Sequence, residues 1–206
     1  MTAPDNQAQA QLEAIARAKD ELRAVDLPAR LRDLGLAGPD PSGRAPVRLF
    51  GRDLALDLAS LELLPLAGRE PASRTETILL LHYLRCPLPL GPEAETGEPI
   101  AFRELPGGQF YLGPFRKRTV EPLARRIGGD LDRLRAGLAR FDCQAQPFGD
   151  FSARVHCFGR VAVTLVYSLP DEEFPALAEA LFSPSVRTVF NAEDAAALAG
   201  VVCWAV

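Results

Sequence analysis

The strongest constraint on the fold is the run TILLLHYLRC at 77–86, in which apolar residues point in nearly every direction around a helix. The segment Ser73-Arg-Thr-Glu76 before it matches the S-x-x-E capping box that begins many helices. Pro87 and Pro89 then end the helix, because proline lacks the amide proton and clashes with the preceding turn. A helix that is apolar on almost all sides is buried on almost all sides. The sequence therefore predicts a buried central helix over 73–86.

The strands are predicted in hairpins. Residues 47–58 alternate apolar and polar side chains around Gly51-Arg52-Asp53, and a second such pair, 152–158 and 161–169, flanks Gly159-Arg160. Both patterns are typical of antiparallel hairpins. Further helices are predicted at 5–25, from Pro28 to Gly35, at 117–127, at 130–140, at 171–182 and from Asn191 onward.

Strands that come in hairpins, without strict alternation of strand and helix, favour an α+β fold over a doubly wound parallel sheet. We expect a single domain over 1–206, with an N-terminal helical segment at 1–36 and a main α+β body at 47–206. Its antiparallel hairpins should pack around the central helix.

The composition narrows the class of protein. A hydrophobic fraction of 48% with 24% charged residues is typical of globular domains. The formal net charge of −4 gives no support to nucleic acid as a partner. No run approaches the ~20 apolar residues of a membrane span, and the N-terminal stretch lacks the apolar core of a signal peptide. Four cysteines without a C-x-x-C pair then favour reduced, buried thiols. We expect a soluble, cytoplasmic, bacterial protein.

Short catalytic motifs are absent from the sequence. It contains no phosphate-binding G-x-x-x-x-G-K-[ST], no G-x-G-x-x-G after a strand, no G-x-S-x-G elbow and no H-E-x-x-H. The sequence therefore names no reaction and no cofactor, and leaves open whether the chain is an enzyme. Candidate functional residues have to be chosen by their chemistry and position.

His82 is the first candidate, because it places an imidazole in the predicted central helix. Cys86 follows at i+4, a spacing that suits two metal ligands. The other histidine, His156, adjoins Cys157, and neighbours on a strand point to opposite faces, so we expect no metal site. Two interpretations of His82 stay open: a histidine at the edge of the core bonded to backbone or a carboxylate, or a general acid or base.

A second set of candidates lies in the segment IAFRELPGGQFY at 100–111. It brings together a guanidinium, a carboxylate and a phenol, those of Arg103, Glu104 and Tyr111, near the pair Gly107-Gly108. We expect strands at 100–102 and 109–113 around a glycine turn, and turns at strand ends often carry function. Together with His82, these three side chains are the predicted ligand-binding residues. The structural alternative is a turn whose charges are paired with neighbouring elements.

The charges are distributed unevenly along the chain. Residues 116–140 contain eight basic side chains and three acidic ones, whereas from Asp171 onward all charged side chains except Arg187 are acidic. The basic segment has the chemistry of an anion site. The same asymmetry also arises when the two segments face each other within the chain, or pair with a protein partner or across a homodimer.

Four segments in this order resemble an uncharacterised domain family common in anaerobic bacteria and archaea: LHYL (81–84), IAFRELPGGQFY (100–111), DEEFPALAEALF (171–182) and ED (193–194). Within them FRELPGG and DEEFPA are the most specific parts. The resemblance implies no assigned activity. Some members carry a fused cysteine-rich segment and a link to corrinoid-dependent one-carbon metabolism. The predicted first helix here has no cysteine, so the resemblance brings no redox cluster.

Three functions are therefore compatible with the sequence. The first is a non-catalytic small-ligand-binding or accessory domain, with its pocket near His82 and the Arg103–Tyr111 segment. The second is an enzyme in which His82 or Glu104 acts as general base and Arg103 clamps an anionic substrate. The third is a protein–protein interaction module that pairs through the basic 116–126 and acidic 171–179 surfaces.

Overall fold

The computed structural model describes residues 3–66 and 70–206. The first two residues, part of the stretch predicted to lack a signal peptide, lie outside the described residues, as do 67–69. The helices are α1 (Ala3–Leu22), α2 (Leu27–Asp33), α3 (Arg74–Leu84), α4 (Glu93–Thr96), α5 (Gly108–Arg118), α6 (Val120–Ile127), α7 (Leu131–Leu138), α8 (Ser185–Val189) and α9 (Ala192–Trp204). The strands are β1 (Arg44–Leu49), β2 (Arg52–Asp57), β3 (Glu62–Pro65), β4 (Ile100–Ala101), β5 (Asp142–Ala145), β6 (Phe151–Phe158), β7 (Val161–Ser168) and β8 (Leu177–Phe182).

Two antiparallel sheets form the β part of the molecule. One has the order β1-β2-β3 and the other β4-β8-β7-β6-β5. The β1–β2 hairpin turns at Phe50 and Gly51, and β1 buries every second residue, as the alternating pattern predicts. The hairpin of β6 and β7 turns at Gly159-Arg160. The predicted α+β fold is confirmed.

The buried central helix is confirmed as α3. Ser73 and Glu76 form the predicted capping box, in which each side chain accepts a hydrogen bond from the other residue's backbone N–H. Five apolar or aromatic side chains of the helix are buried: Leu79, Leu80, Leu81, Tyr83 and Leu84. The helix packs against α1, α2 and α9, so it receives neighbours on most of its circumference.

Tyr83 joins α3 to two other parts of the fold. Its hydroxyl donates to the carbonyl of Leu34 after α2 and accepts from the backbone N–H of Arg160 at 2.9 Å. Its ring packs edge-on against Phe158, with centroids 5.5 Å apart. Gly159 has φ +51°, and a Cβ there would lie 2.5 Å from the Tyr83 hydroxyl. Burial raises the pKa of this phenol, so it stays a neutral donor.

The two sheets are joined by backbone and side-chain contacts near the β1–β2 turn. The N–H of Phe50 donates to the carbonyl of Cys157 at 2.7 Å, and its ring meets Phe158 edge-on. Arg48 holds Asp142 of the other sheet through two hydrogen bonds of 2.8 Å. That guanidinium lowers the pKa of the Asp142 carboxyl.

The predicted glycine turn between strands at 100–102 and 109–113 is wrong. The structure has the two-residue strand β4, a 3₁₀ turn at Phe102–Glu104 and then helix α5. The helix forms because it brings Phe115 face to face with Phe102, with ring centroids 3.9 Å apart. Gly108 permits the tight entry, since a Cβ there would lie 2.0 Å from the Phe102 carbonyl oxygen. The glycine pair begins a helix and does not close a hairpin.

The predicted helix at 171–182 is also wrong, because its second half is strand β8. Ala178, Ala180 and Phe182 are buried while Glu179 is exposed, which is the period of a strand. The strand pairs with β7 along its length and with β4 at its end. These hydrogen bonds outweigh the high helix propensity of alanine and leucine.

Among the remaining predicted helices, 117–127 is divided at Thr119 into α5 and α6, because that residue leaves helical geometry at ψ −84°. The predicted N-caps Asp130 and Asn191 both accept from backbone amides of α7 and α9. Within the described part of the chain, the helices are too short or too polar to cross a membrane.

Replacing Tyr83 by phenylalanine should lower the free energy of unfolding by about 1–3 kcal/mol, because the Leu34 carbonyl and Arg160 amide lose a buried partner. Urea unfolding followed by circular dichroism measures the change. Tyr111→Phe is the matched control, since its hydroxyl only accepts from Arg118 at the surface. Equal stability of the two variants would contradict the structure.

The cysteines should differ sharply in reactivity. All four are free thiols, but Cys143 is exposed while Cys86, Cys157 and Cys203 are buried. Burial raises the pKa of all three thiols Cys143, Cys157 and Cys203, to about 12 for Cys203 and further for Cys157, and a raised pKa suppresses the reactive thiolate. Exposure is therefore what sets Cys143 apart. Iodoacetamide should therefore modify one site in the native protein and four in urea, as counted by mass spectrometry. Native labelling that survives in Cys143→Ser would refute this assignment.

Candidate functional site

The site of greatest chemical interest is formed where α3 ends and α9 begins. His82, in the last turn of α3, has its Nδ1 atom 2.9 and 3.0 Å from the two carboxylate oxygens of Asp194. Asp194 is in the first turn of α9, where the side chain of Asn191 accepts from its backbone N–H at 2.8 Å. Side-chain exposures of 19% for His82 and 12% for Asp194 show a pair that is largely shielded yet reachable.

Both side chains complement the helix ends on which they lie. The C-terminal end of a helix carries partial negative charge and favours a cationic side chain, whereas the N-terminal end favours an anionic one. An ionised carboxylate only accepts hydrogen bonds, so in the neutral ring the Nδ1 atom of His82 carries the proton. Asp194 therefore orients the imidazole and leaves the Nε2 lone pair for another molecule.

A cavity of about 470 Å³ lies beside this pair. Arg30 lies in its wall and donates to the carbonyls of Leu84 and Cys86, which are left over at the end of α3. Arg85, also in the wall, pairs with Glu21 at 2.6 Å. The cavity is in the size range of small-metabolite sites, and its wall offers two guanidinium groups and one oriented imidazole.

The other three predicted site residues lie elsewhere. Arg103, in the 3₁₀ turn, lines a separate cavity of about 190 Å³. Glu104 accepts from the N–H of Ala101 at 2.7 Å and caps that turn. Tyr111, on α5, accepts from Arg118 at 2.8 Å and lines a third cavity of about 840 Å³. The structure does not bring these three side chains to the His82 cavity.

The second histidine repeats the arrangement of the first. His156, on β6, has its Nδ1 atom 3.0 Å from a carboxylate oxygen of Glu95 on α4. Glu95 lies in the proline-rich segment that follows α3. Within residues 3–66 and 70–206, no group of three or more histidine, cysteine, aspartate or glutamate side chains is arranged to hold a metal ion.

Sequence reasoning missed both carboxylate partners. Asp194 is 112 positions from His82, and its place in the first turn of a helix already accounts for an acidic residue there. The signal that was present is the resemblance, since LHYL contains His82 and the segment at 193–194 contains Asp194. The other two matching segments also meet, because Ile100 of β4 pairs with Phe182 of β8.

The oriented imidazole can be observed directly, since the chain has only two histidines. At alkaline pH, ¹⁵N-edited NMR should show the neutral ring of His82 with its proton on Nδ1. Asp194→Ala should release His82 from this tautomer, while Glu193→Ala, one position earlier and exposed, should leave it unchanged. A wild-type His82 with its proton on Nε2 would contradict the geometry.

Comparison with known proteins gives a family and no activity. No curated protein and no solved structure matches this chain. The model of the family described as "Domain of unknown function (DUF3786)" matches residues 26–205, from the N-cap of α2 to the end of α9. The chain therefore belongs to the DUF3786 family of domains of unknown function.

Proposed function

We propose that this chain is a small-molecule-binding domain whose ligand occupies the cavity beside His82 and Asp194. The observation that carries the proposal is the imidazole held by a carboxylate in the wall of a 470 Å³ cavity. A polar group that is oriented before the ligand arrives loses little entropy on binding. The proposal keeps the predicted ligand at His82. The other polar groups proposed to contact that ligand lie at the ends of α3 and α9 and not in the Arg103–Tyr111 segment.

The lining residues favour a ligand with both a hydroxyl and an anionic group. The Nε2 atom of His82 accepts a hydrogen bond from a hydroxyl, and the guanidinium of Arg85 receives a carboxylate or phosphate. The Arg85–Glu21 pair is exposed by 40% and 44%. Such exposed pairs contribute about 0–1 kcal/mol, so a ligand anion displaces Glu21 at little cost.

The second candidate function is catalysis at the same cavity. A histidine whose Nδ1 proton is held by a carboxylate is the arrangement of many general bases. The proposed base is then His82, with Arg85 as the anion clamp, because Arg103 and Glu104 line or cap other parts of the chain. Turnover of a bound hydroxy acid, lost in His82→Ala, distinguishes an enzyme from a binding domain.

Protein–protein interaction through the basic 116–126 and acidic 171–179 surfaces is less favoured. Helix α6 packs on strand β8 within the chain, and Arg116 and Glu179 line the same cavity. The two segments are therefore already neighbours, which accounts for part of the asymmetry without a second protein or a homodimer. We further propose a bacterial cytoplasmic location, which the four free thiols support.

A panel of small hydroxy acids and their phosphate esters tests the binding function by thermal shift. A true ligand at 100-fold its Kd should stabilise the wild type by about 2.7 kcal/mol. His82→Ala should weaken binding by about 2- to 10-fold, the usual effect of losing a neutral hydrogen bond. Arg103→Gln is the matched control and should bind normally. The reverse pattern, with Arg103 essential and His82 dispensable, would place the site at the 3₁₀ turn instead.

A further inference from the structure

A second polar cluster lies in a cleft between the two sheets, outside the His82 cavity. His156 and Glu95 form its centre, with side-chain exposures of 31% and 18%. The carboxylate of Glu95 also faces two arginines: Arg154 at 3.5 Å and Arg160 at 3.7 Å. One carboxylate thus faces two guanidinium groups as well as the imidazole.

Arg160 is the least satisfied cation of the cluster. Its Nε atom is buried and has no hydrogen-bond partner within the described part of the chain. Its contact with Glu95, at 3.7 Å, exceeds the ~2.7–3.2 Å of a normal hydrogen bond. A buried donor without an acceptor is costly, so each such group in a folded protein calls for an explanation.

The backbone leaves room for this guanidinium. Gly35, which follows α2 with φ +72°, lies directly beneath it, and a Cβ there would be 2.5 Å from Arg160 Nε. The backbone N–H of Arg160 is held by the buried hydroxyl of Tyr83. The backbone of Arg160 is therefore fixed at one end of the side chain and Gly35 packs against the guanidinium at the other, so the side chain is positioned before any ligand binds.

Two cavities, of about 830 and 580 Å³, both have Glu95 and His156 in their walls. Arg160 lines the larger one, which is also bounded by apolar side chains of the loop after α2 and of the β1–β2 hairpin: Leu36, Ala37, Pro46 and Ala55. The larger cavity thus has a cationic end and an apolar wall, and it is large enough for a small metabolite.

The acidic residues of the larger cavity are already bonded. Asp53 is held by Arg48 at 2.9 Å. Asp40 accepts from the hydroxyl and amide of Ser42 and from the amide of Arg44, and these hydrogen bonds lower its pKa. Glu95 is shared among the cations of the cluster. The donors left for an incoming molecule are those of Arg160, with His156 beside them, and those of Arg44, whose contact to Asp57 is 3.8 Å long.

We propose that this cleft is a second ligand site, in which the guanidinium of Arg160, beside His156, binds the carboxylate or phosphate head of a small molecule with an apolar body. Guanidinium forks match both heads in geometry. The apolar body lies along Leu36, Pro46 and Ala55. The site is independent of the one proposed at His82.

The wild-type protein offers a selective test, because its two histidines report on the two sites separately. Inorganic phosphate, phenyl phosphate and benzoate are titrated while the imidazole signals are followed by NMR. Saturable shifts at His156 are expected whether or not His82 also shifts, with phenyl phosphate binding more tightly than inorganic phosphate. Tighter binding of phenyl phosphate or of benzoate then identifies the preferred head. Shifts that do not saturate, or shifts at His82 alone, overturn the proposal.

Substitutions separate the role of Arg160 from bulk charge. Arg160→Gln should weaken phenyl phosphate or benzoate binding by about 10- to 100-fold. The affinity of Arg160→Lys should lie between those of Arg160→Gln and the wild type, because lysine keeps the charge but lacks the paired N–H donors of the guanidinium. Arg125→Gln, the same charge change at a side chain exposed by 69% on α6, should bind like the wild type. Asp194→Ala should bind phenyl phosphate or benzoate at the second site with unchanged affinity. The test of this site therefore remains valid even where the function proposed for the His82 cavity is wrong. Equal affinity of Arg160→Gln and wild type overturns the proposal.

Discussion

The hydrogen bonds of the buried Tyr83 hydroxyl are the interaction on which the rest of the structure depends. They connect α3 to the end of α2 at Leu34 and to the β6–β7 turn at Arg160. The same bonds bear on both candidate sites. His82 is the residue before Tyr83 in α3, so the position of α3 fixes where the imidazole reaches the surface. The backbone N–H of Arg160 donates to the Tyr83 hydroxyl, which fixes the backbone from which the Arg160 side chain extends. A core contact therefore positions polar groups on two separate surfaces.

The parts of the fold that were predictable are those with local causes. The capping box at Ser73 and the apolar circumference of the following run specify α3 from neighbouring residues alone. The N-caps of α7 and α9 and the hairpin at Gly159-Arg160 also act over a few positions. The burial of α3 follows from composition, because no face of it is polar enough to meet water.

The parts that were missed have distant causes. The segment LAEALF at 177–182 has helix-forming residues, yet it forms a strand because it pairs with β7 along its length. Helix α5 depends on the stacking of Phe115 with Phe102, thirteen positions earlier. The partners of the two histidines come from α9 and α4, with sequence separations of 112 and 61. The sequence places His82 in the central helix, but it holds no information on which carboxylate arrives there.

The contrast between two arginines of the same cleft separates support of the fold from recognition of a ligand. Arg48 forms two hydrogen bonds to Asp142 and pairs with Asp53, so its guanidinium is occupied in joining the sheets. Arg160, beside it in the cavity wall, has one long contact to Glu95 and an unpaired buried Nε. An arginine that served only stability would gain from closer partners, since an unsatisfied buried donor is a net cost. The anion proposed for this cleft would supply the acceptors that the terminal nitrogens of Arg160 lack.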